Sequence, residues 1–379
     1  MNIVFLSSVD WGELWQRHHV LSTMMARNGH RVVYVGNTGF RNPNPLPSDC
    51  RRIWSRIKTT VKKESSPHQA CLQLLRGNLT VINPLVAPPQ GRLYRSLNRR
   101  VFVPKLSKQI REILGEVDLA MVYLPSRTTL DLLKSLRPRQ VIYECVANFG
   151  GHPGAPRDFA AIEHELLEMS DAVVCDSEYL YEKMSKKHMN TYKIHQGVDI
   201  ELWDYGDEPQ FDRAQRYDTI CYFGTLDERM DWVVIEAFLD ARIEVVLVGE
   251  AKVRLPKGVT FLGPVENRKL PSVVRRYDAF IIPYKSTKFA DGIIPAKLFE
   301  CFATGKPILA SPLPFTQEYQ GLIYVCKTPP EFIETFRSLP ATETQEIRAM
   351  RREVARRNST SAAYAKLMRI IMSNGTSHA

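Results

Sequence analysis

Two charged side chains three positions apart, Lys297 and Glu300, are the strongest candidates for chemistry in this sequence. They lie between Pro295 and Gly305, a pattern that predicts a short helix, because proline favours the first helical position and glycine the position after the last. Residues three apart share one helix face. A cation in the first turn suits a diphosphate, and a carboxylate one turn later can accept both hydroxyls of a ribose. The same spacing also fits a solvated ion pair, so the two residues alone leave both interpretations open.

The elements around this helix would place it at the edge of a sheet. An apolar run at 279–284 precedes a polar loop that leads to the helix, and a second apolar run at 308–310 follows it. This order predicts a strand, loop, helix and strand unit. In such units the helix N-terminus lies at the carboxyl edge of a parallel sheet, where backbone N–H groups face a ligand.

The segment resembles the donor-site motif of GT-B glycosyltransferases, especially bacterial family 4-like enzymes of surface polysaccharide and teichuronic acid assembly. The matching residues are Pro295, Lys297, Glu300, Ala303, Gly305, Lys306 and Pro307. The resemblance implies an α/β fold of the GT-B class, with two Rossmann-like, doubly wound domains facing a cleft and a C-terminal helix crossing back to the N-terminal domain. The expected domains are an acceptor domain at 1–205, a nucleotide-sugar domain at 206–358 and the returning helix at 359–379.

The resemblance also implies roles for the donor site. Lys297 would stabilise the leaving diphosphate and Glu300 would hold the ribose. Many family members carry an acidic residue eight positions before the ribose-binding glutamate, but Gly292 takes that position here, with Asp291 beside it. The donor-binding residues implied are Gly224, Thr225, Arg229, Asp291, Gly292, Ile293, Ile294, Lys297 and Glu300.

Residues at and after the end of the strand predicted at 141–145 could supply a base for the acceptor hydroxyl. If the reaction inverts configuration, Glu144 or His152 would take the acceptor proton. If it retains configuration, the front-face mechanism of the resembled enzymes requires no protein base. Glu144 could equally be a buried, hydrogen-bonded residue at the end of a strand. Arg17 and His18, on the helix that follows the first strand, could contact substrate or serve only the structure.

Composition is that of a globular protein with room for two domains: 379 residues, 44% hydrophobic and 24% charged. Seven cysteines occur without C-x-x-C pairs, which predicts buried thiols. The opening residues lack the pattern of a signal peptide, and no apolar run approaches the roughly 18 residues of a membrane span. We therefore expect a cytoplasmic protein. Its basic segments, described next, predict peripheral association with the inner face of the cell membrane.

The formal net charge of +10 favours an anionic partner. Basic residues interleave with apolar and aromatic ones near 51–63 and 92–111, as in segments that lie on anionic lipid. A solvated basic surface remains the alternative for both segments. No nucleic-acid-binding module is recognisable, so a nucleic-acid partner is not expected.

The resemblance implies a metal-independent, hexosyltransferase-type enzyme without a cofactor. It would move a sugar from a nucleotide diphosphate sugar, with uridine ahead of guanosine, to a lipid-linked or growing glycan acceptor in bacterial polysaccharide biosynthesis. A nucleotide-sugar epimerase of the same fold and a catalytically silent GT-B scaffold remain as alternatives. The loop after the first strand lacks G-x-G-x-x-G, which disfavours a NAD-dependent enzyme.

Overall fold

A computed structural model describes residues 1–13, 15–40, 77–87, 91–203 and 217–375. The chain divides into two compact units. The first comprises Met1–Asp176, Leu180–Ile194 and Tyr364–Ala379, and the second comprises Ser177–Tyr179 and His195–Ala363.

The described part of the first unit is built on a parallel sheet with the strand order β3-β2-β1-β4-β5-β6-β7. Its strands are β1 (Asn2–Leu6), β2 (Arg31–Val35), β3 (Leu79–Ile82), β4 (Leu119–Val122), β5 (Gln140–Cys145), β6 (Ala172–Cys175) and β7 (Thr191–Lys193). The central strands are nearly continuous apolar runs, because helices cover both faces of a parallel sheet. Ile3 to Leu6 on β1 and Leu119 to Val122 on β4 are almost fully buried.

The second unit has its own parallel sheet, with the order β10-β9-β8-β11-β12-β13 among the described residues. The strands are β8 (Thr219–Phe223), β9 (Glu244–Val248), β10 (Thr260–Gly263), β11 (Ala279–Ile282), β12 (Ile308–Ala310) and β13 (Tyr324–Val325).

Helices connect the strands in alternation. In chain order the α-helices are α1 (Arg17–Arg27), α2 (Arg92–Leu97), α3 (Val103–Leu114), α4 (Arg127–Leu136), α5 (Phe159–Glu168), α6 (Glu178–Ser185), α7 (Ile200–Trp203), α8 (Trp232–Asp240), α9 (Leu270–Val274), α10 (Lys297–Thr304), α11 (Pro314–Glu318), α12 (Pro329–Thr342), α13 (Gln345–Arg357) and α14 (Thr360–Gly375). A π-helical turn, Asn98–Phe102, joins α2 to α3.

Each sheet contains the strand order 3-2-1-4-5-6 when its strands are counted from its own first strand. This is the order of a Rossmann fold, and it confirms the predicted pair of doubly wound α/β domains. The order reverses beside the first strand of each unit, between β1 and β4 and between β8 and β11. Ligands of such sheets bind outside the carboxyl ends of the strands at that point.

Two sequence-based expectations need correction. The helix expected to start at Pro295 begins at Lys297, although the backbone N–H of Leu298 already bonds the Pro295 carbonyl. The stretch between Phe40 and Lys108 gave no clear pattern, yet its described part contains β3 and most of the helical segment 92–114.

Buried thiols were predicted for the cysteines. Cys145, Cys175, Cys221, Cys301 and Cys326 are free and buried. Cys50, Cys71 and the basic segment 51–63 lie outside the described residues. No described helix has the length and apolar character that crossing a membrane demands.

Candidate active site

The second unit gathers its polar side chains where β8 and β11 end. Tyr222 lies near the end of β8, and Tyr284 follows β11 by two residues. The two strands are neighbours in the sheet, so the phenolic oxygens lie 3.2 Å apart. The Tyr222 hydroxyl also donates to the backbone carbonyl of Thr225 at 3.0 Å. The pair of tyrosines forms one wall of the site at the reversal of strand order.

Helix α10 carries Lys297 in its first turn against this wall. Its apolar side, which includes Leu298, Phe299 and Phe302, is fully buried in the core of the unit. Gly305 ends the helix with φ +75°, the left-handed conformation that was predicted for the helix stop. Burial of this apolar side fixes the rotation of the helix and so the direction of its charged face.

The ammonium of Lys297 is held by aromatic rings. Its Nζ lies 3.6 Å from the centroid of the Tyr222 ring and donates a hydrogen bond to the Tyr284 hydroxyl at 3.1 Å. Only 8% of the residue is exposed. Burial raises the pKa of the Tyr284 phenol, but Lys297 and Arg229 outweigh it, and the pKa lies below its usual value.

Lys297 forms no ion pair with any residue that the structure describes, so the interpretation of Lys297 and Glu300 as a solvated ion pair is wrong. A buried cation is costly unless an anion compensates it. The rings supply part of that compensation through cation–π attraction. The arrangement therefore suits an anionic ligand beside Nζ.

Gly224, directly after β8, lets the backbone approach this cation. Its φ is +127°, and a Cβ built at this position would lie 2.7 Å from Lys297 Nζ. Gly249, after β9, has φ +136°, and a Cβ there would lie 1.9 Å from the Gly224 carbonyl oxygen. The two glycines thus let the turns after β8 and β9 approach each other, and the first of them approach Lys297, more closely than a side chain would allow.

Glu300 follows one turn after Lys297 and is half-buried. Burial raises the pKa of its carboxyl to about 7, and Lys297 offsets this only in part. No described residue donates a hydrogen bond to this carboxylate. A carboxyl group with a raised pKa and unused acceptors is typical of a ligand site.

Arg229, implied as a source of charge near phosphates, is paired within its own turn. Its Nε and Nη2 donate to both carboxylate oxygens of Asp227, the shortest at 2.7 Å, and its guanidinium lies 5.9 Å from the centroid of the Tyr284 ring. Burial would raise the pKa of Asp227, but Arg229 lowers it below its usual value. Much of the charge of Arg229 is therefore compensated. Thr225, in the same turn, is half-buried.

The loop that leads into α10 carries the other implied donor contacts. Asp291 and Gly292 lie in a short 3-10 turn, Ala290–Gly292. The Gly292 carbonyl accepts a hydrogen bond from the Ser177 hydroxyl at 3.5 Å. Ile293 and Ile294 continue to the helix, and Ile294 is buried. Burial raises the pKa of Tyr179, and the negative charge of the half-buried Asp291 raises it further, so the two side chains are close.

A buried ion pair holds the far end of α10. Arg351 on α13 donates two hydrogen bonds to the Glu343 carboxylate, at 2.7 and 2.8 Å, and a third, of 3.1 Å, to the Gly305 carbonyl. Both charged side chains are completely buried. Because the guanidinium bonds the residue that ends α10, it fixes the helix that carries Lys297 and Glu300.

In the first unit, Glu144 is paired with Arg17. The Arg17 Nε lies 2.6 Å from one carboxylate oxygen and its Nη2 lies 3.2 Å from the other. Both side chains are buried, and Glu144 raises the pKa of Arg17 against the opposing effect of burial. This geometry supports the alternative of a buried, hydrogen-bonded residue at the end of β5. It also links the two residues that the sequence analysis treated separately.

The other first-unit candidates lie near the end of β1 and after β5. His18 is buried, which lowers the pKa of its imidazole well below the usual value, and its Nε2 lies 3.4 Å from the Ser8 hydroxyl. His152 is half-buried, and its Nδ1 accepts a hydrogen bond from the Gly154 N–H at 2.9 Å. Among the described residues, no three His, Cys, Asp or Glu side chains form a group that could hold a metal ion.

The structure thus brings Gly224, Lys297 and the turn of Arg229 together in the second unit, whereas Glu144 and His152 belong to the first. Sequence reasoning missed Tyr222 and Tyr284. The signal was present, since each tyrosine stands at the carboxyl end of an apolar strand. Both tyrosines contact Lys297 because β8 and β11 are neighbours in the sheet. Strand order cannot be read from the sequence.

The chain was compared with known proteins. Residues 217–340 match the family described as Glycosyl transferases group 1. The sequence is 26% identical over 264 residues to a protein of Bacillus subtilis (strain 168) named "Putative teichuronic acid biosynthesis glycosyltransferase TuaH". That match spans 61% of this chain and 66% of the relative's length.

Solved structures share the fold over nearly the whole chain. HepE of Anabaena, in a crystal structure with UDP, aligns with a TM-score of 0.69 at 14% identity, over 98% of this chain and all of that one. Sucrose-phosphate synthase of Thermosynechococcus elongatus aligns with a TM-score of 0.68 at 15% identity, over 98% of each chain. By these matches, residues 217–340 form a domain of the group 1 glycosyltransferase family, and the chain has a fold of the GT-B type.

Proposed function

We propose that this protein transfers a sugar from a nucleoside diphosphate sugar, preferably of uridine, to a lipid-linked or growing glycan acceptor in bacterial polysaccharide biosynthesis. The relative named for teichuronic acid biosynthesis supports the acceptor class. The HepE structures with UDP and with UDP-glucose support the donor class.

The observation that carries the proposal is the buried ammonium of Lys297. Its printed contacts are a phenol and an aromatic ring, and an ion pair with a described residue is absent. A diphosphate beside Nζ, at the start of α10, would supply the missing anion. As the bond to the sugar breaks, negative charge grows on that diphosphate. A preorganised cation stabilises the transition state most at this point.

The rest of the second-unit site fits the remaining parts of the donor. Glu300, one turn along the same face, would accept both ribose hydroxyls. Gly224 and Thr225 would approach the phosphates through the backbone, and Asp291 to Ile294 would face the donor sugar. Arg229 would add a partly compensated positive charge near the phosphates.

The geometry of the first unit distinguishes the two residues that could take the acceptor proton, Glu144 and His152. Both oxygens of Glu144 accept hydrogen bonds from Arg17, and Nδ1 of His152 accepts one from Gly154. We therefore propose that Glu144 positions Arg17 and does not remove the acceptor proton. His152 remains the candidate base, through Nε2, if the reaction inverts configuration.

We further propose that leaving-group stabilisation by Lys297 makes a metal ion unnecessary, so that EDTA leaves turnover unchanged. The acceptor class and the basic segment 92–111 together support a cytoplasmic enzyme that acts at the inner face of the membrane. Nucleic acid has no role in this proposal.

The test is calorimetric binding of UDP and GDP, with NAD as a control, to the wild type and to Lys297→Ala and Glu300→Ala. We expect UDP to bind the wild type and both substitutions to weaken it by about tenfold or more. Absence of nucleoside diphosphate binding, or equal binding by all three proteins, would contradict the proposed site.

A product assay separates the remaining alternatives. Turnover of a nucleotide sugar to its epimer without acceptor would identify an epimerase. Nucleotide binding without turnover, when a donor panel and a lipid acceptor are both present, would identify a silent scaffold. Transfer to the acceptor supports the proposed reaction.

A further inference from the structure

The first two turns of the helical segment 92–114 expose a compact apolar face, which we call the α2 face. It consists of Leu93, Tyr94 and Leu97, with 86%, 49% and 42% of each residue exposed. Leu93 and Leu97 are four positions apart and share one side of the helix, and Tyr94 flanks them. Isolated exposed apolar residues need no explanation, but a contiguous group marks an interaction site.

The opposite side of this helix is anchored to the first unit. Arg95 donates two hydrogen bonds to Asp158, at 2.8 and 2.9 Å. The Asn98 side chain is buried and exchanges hydrogen bonds with the backbone of Ala87 in both directions, at 2.8 and 3.0 Å. The apolar face is therefore presented outward by a fixed element.

Exposed cations flank the α2 face along the chain. Arg92, Arg99 and Arg100 are exposed, and Lys105 follows on α3. None of these four forms a salt bridge with a described residue, although Arg99 is close enough to act electrostatically on the Asp131 carboxylate. The neighbouring Arg95, in contrast, is paired with Asp158. A group of exposed apolar side chains flanked by exposed cations that form no salt bridge is complementary to a surface with an apolar interior and anionic headgroups. That is the chemistry of a bilayer containing anionic lipid.

We propose that the α2 face inserts into the interface of an anionic membrane, with Arg92, Arg99 and Arg100 contacting lipid phosphates. This inference rests on the proposed function in one respect, that the acceptor is lipid-linked or membrane-bound. It goes further by naming the residues that enter the bilayer. It also gives binding an apolar component, which attraction by a basic surface alone would lack.

The two components respond differently to salt. Attraction between cations and anionic headgroups is largely screened in about 0.5 M salt, where the Debye length is roughly 4 Å. Insertion of leucine and tyrosine side chains removes apolar surface from water and is not screened. Binding should therefore be strongest on anionic vesicles at low salt and keep a measurable part at high salt.

The experiment is vesicle co-sedimentation of the full chain, with phosphatidylcholine vesicles and with vesicles containing about one third phosphatidylglycerol, at about 0.1 and 0.5 M salt. The apolar test variant is Leu93→Ser/Leu97→Ser, and the charge test variant is Arg99→Gln/Arg100→Gln. All four side chains are exposed, so folding should be preserved, which circular dichroism and UDP calorimetry would verify.

Matched control variants lie in the second unit. Val233→Ser removes an exposed apolar side chain from α8, 60% exposed and next to the acidic cap Asp231. Arg254→Gln/Lys257→Gln removes two exposed cations from the turn before β10. These controls lose exposed apolar surface or exposed charge without touching the α2 face.

We expect the apolar variant to lose the salt-resistant part of binding, a fall of about tenfold or more in the partition coefficient. The charge variant should lose the preference for anionic vesicles. Both controls should bind as the wild type does. Equal vesicle binding by the wild type and the apolar variant would overturn the inference, as would a concentration-dependent dimer that the apolar variant abolishes.

UDP calorimetry on the same preparations keeps the two proposals distinct. Loss of vesicle binding with intact UDP binding supports the α2 face. If the wild type binds UDP but does not bind anionic vesicles, only the membrane inference is contradicted. If the wild type binds vesicles but does not bind UDP, only the proposed donor site is contradicted.

Discussion

The ammonium of Lys297 lies 3.6 Å from the centre of the Tyr222 ring, in a site where no described carboxylate forms a salt bridge with it. The ring stabilises the cation without neutralising it. A carboxylate in that position would compete with a diphosphate for the same charge. The aromatic wall therefore keeps a buried positive charge available to an anionic ligand, and the following expectations depend on this arrangement.

Replacing Lys297 with Met should separate binding from stability. We expect UDP affinity to fall by about tenfold to a hundredfold, because a charge-assisted contact is lost. The free energy of unfolding should change by less than about 1 kcal/mol, since the lost cation–π contact is offset by removal of a buried charge. Calorimetry and urea unfolding measure the two quantities. Lys257→Met, before the amino end of β10, is the control; a loss of several kcal/mol in Lys297→Met would instead make the lysine a structural residue.

Gly224→Ala should displace the Lys297 ammonium, since the new Cβ would lie 2.7 Å from Nζ. The left-handed φ of +127° adds strain of about 1–3 kcal/mol. Gly321→Ala is a matched control, because its φ is +82° and nothing lies within 4 Å of the added Cβ. We expect both variants to lose stability but only Gly224→Ala to lose UDP affinity. Similar affinities in the two variants would argue against contact between Gly224 and the ligand-binding cation.

Donor binding should depend on the ionisation of Glu300. With a pKa of about 7, the carboxyl is mainly protonated at pH 6 and mainly ionised at pH 8. An ionised carboxylate accepts stronger hydrogen bonds from ribose hydroxyls. We expect the affinity for UDP-glucose to rise across that interval and the rise to vanish in Glu300→Gln. UDP-glucose is preferred to UDP because it has no phosphate that titrates near neutrality. A flat profile in the wild type would exclude Glu300 as a titrating ribose ligand.

The same group should affect the stability of the free protein. Its pKa is raised from 4.5 to about 7 in the folded state, so its contribution to stability is fully present below pH 4.5 and is lost as pH rises through 7. Glu300→Gln should therefore match the wild type near pH 4.5 and become the more stable protein above pH 7. Thermal denaturation without ligand, at several pH values, measures this difference. If the stability difference between Glu300→Gln and the wild type grew toward low pH, it would contradict a raised pKa for Glu300.

Breaking the Arg17–Glu144 pair should unfold the first unit more easily. Removing one partner of a buried pair leaves the other charge uncompensated and costs about 3–5 kcal/mol. We expect this loss in Glu144→Gln and in Arg17→Met, and a smaller loss in the double variant. Arg139→Gln breaks the exposed pair with Glu116 and should cost at most about 1 kcal/mol. Normal stability of Glu144→Gln together with abolished transfer would identify Glu144 as a base.

The sequence by itself determined the local elements. Apolar runs predicted strands at 141–145, 279–284 and 308–310, and strands lie there. The resemblance of the segment around Lys297 and Glu300 to a known motif implied two Rossmann-like domains. The spacing of Lys297 and Glu300 placed them on one helix face because helix periodicity is a local property. These features depend on residues close in the chain, so they can be read from it.

Tertiary structure decided which side chains meet. The contact of Tyr222 with Lys297 joins residues 75 positions apart and exists because β8 and β11 are neighbours in the sheet. The pairing of Arg17 with Glu144 crosses 127 positions. Burial also decided the protonation of the Glu300 carboxyl, since its raised pKa comes from the loss of surrounding water. Strand neighbours and solvent exclusion are properties of the packed chain, and no local pattern specifies them.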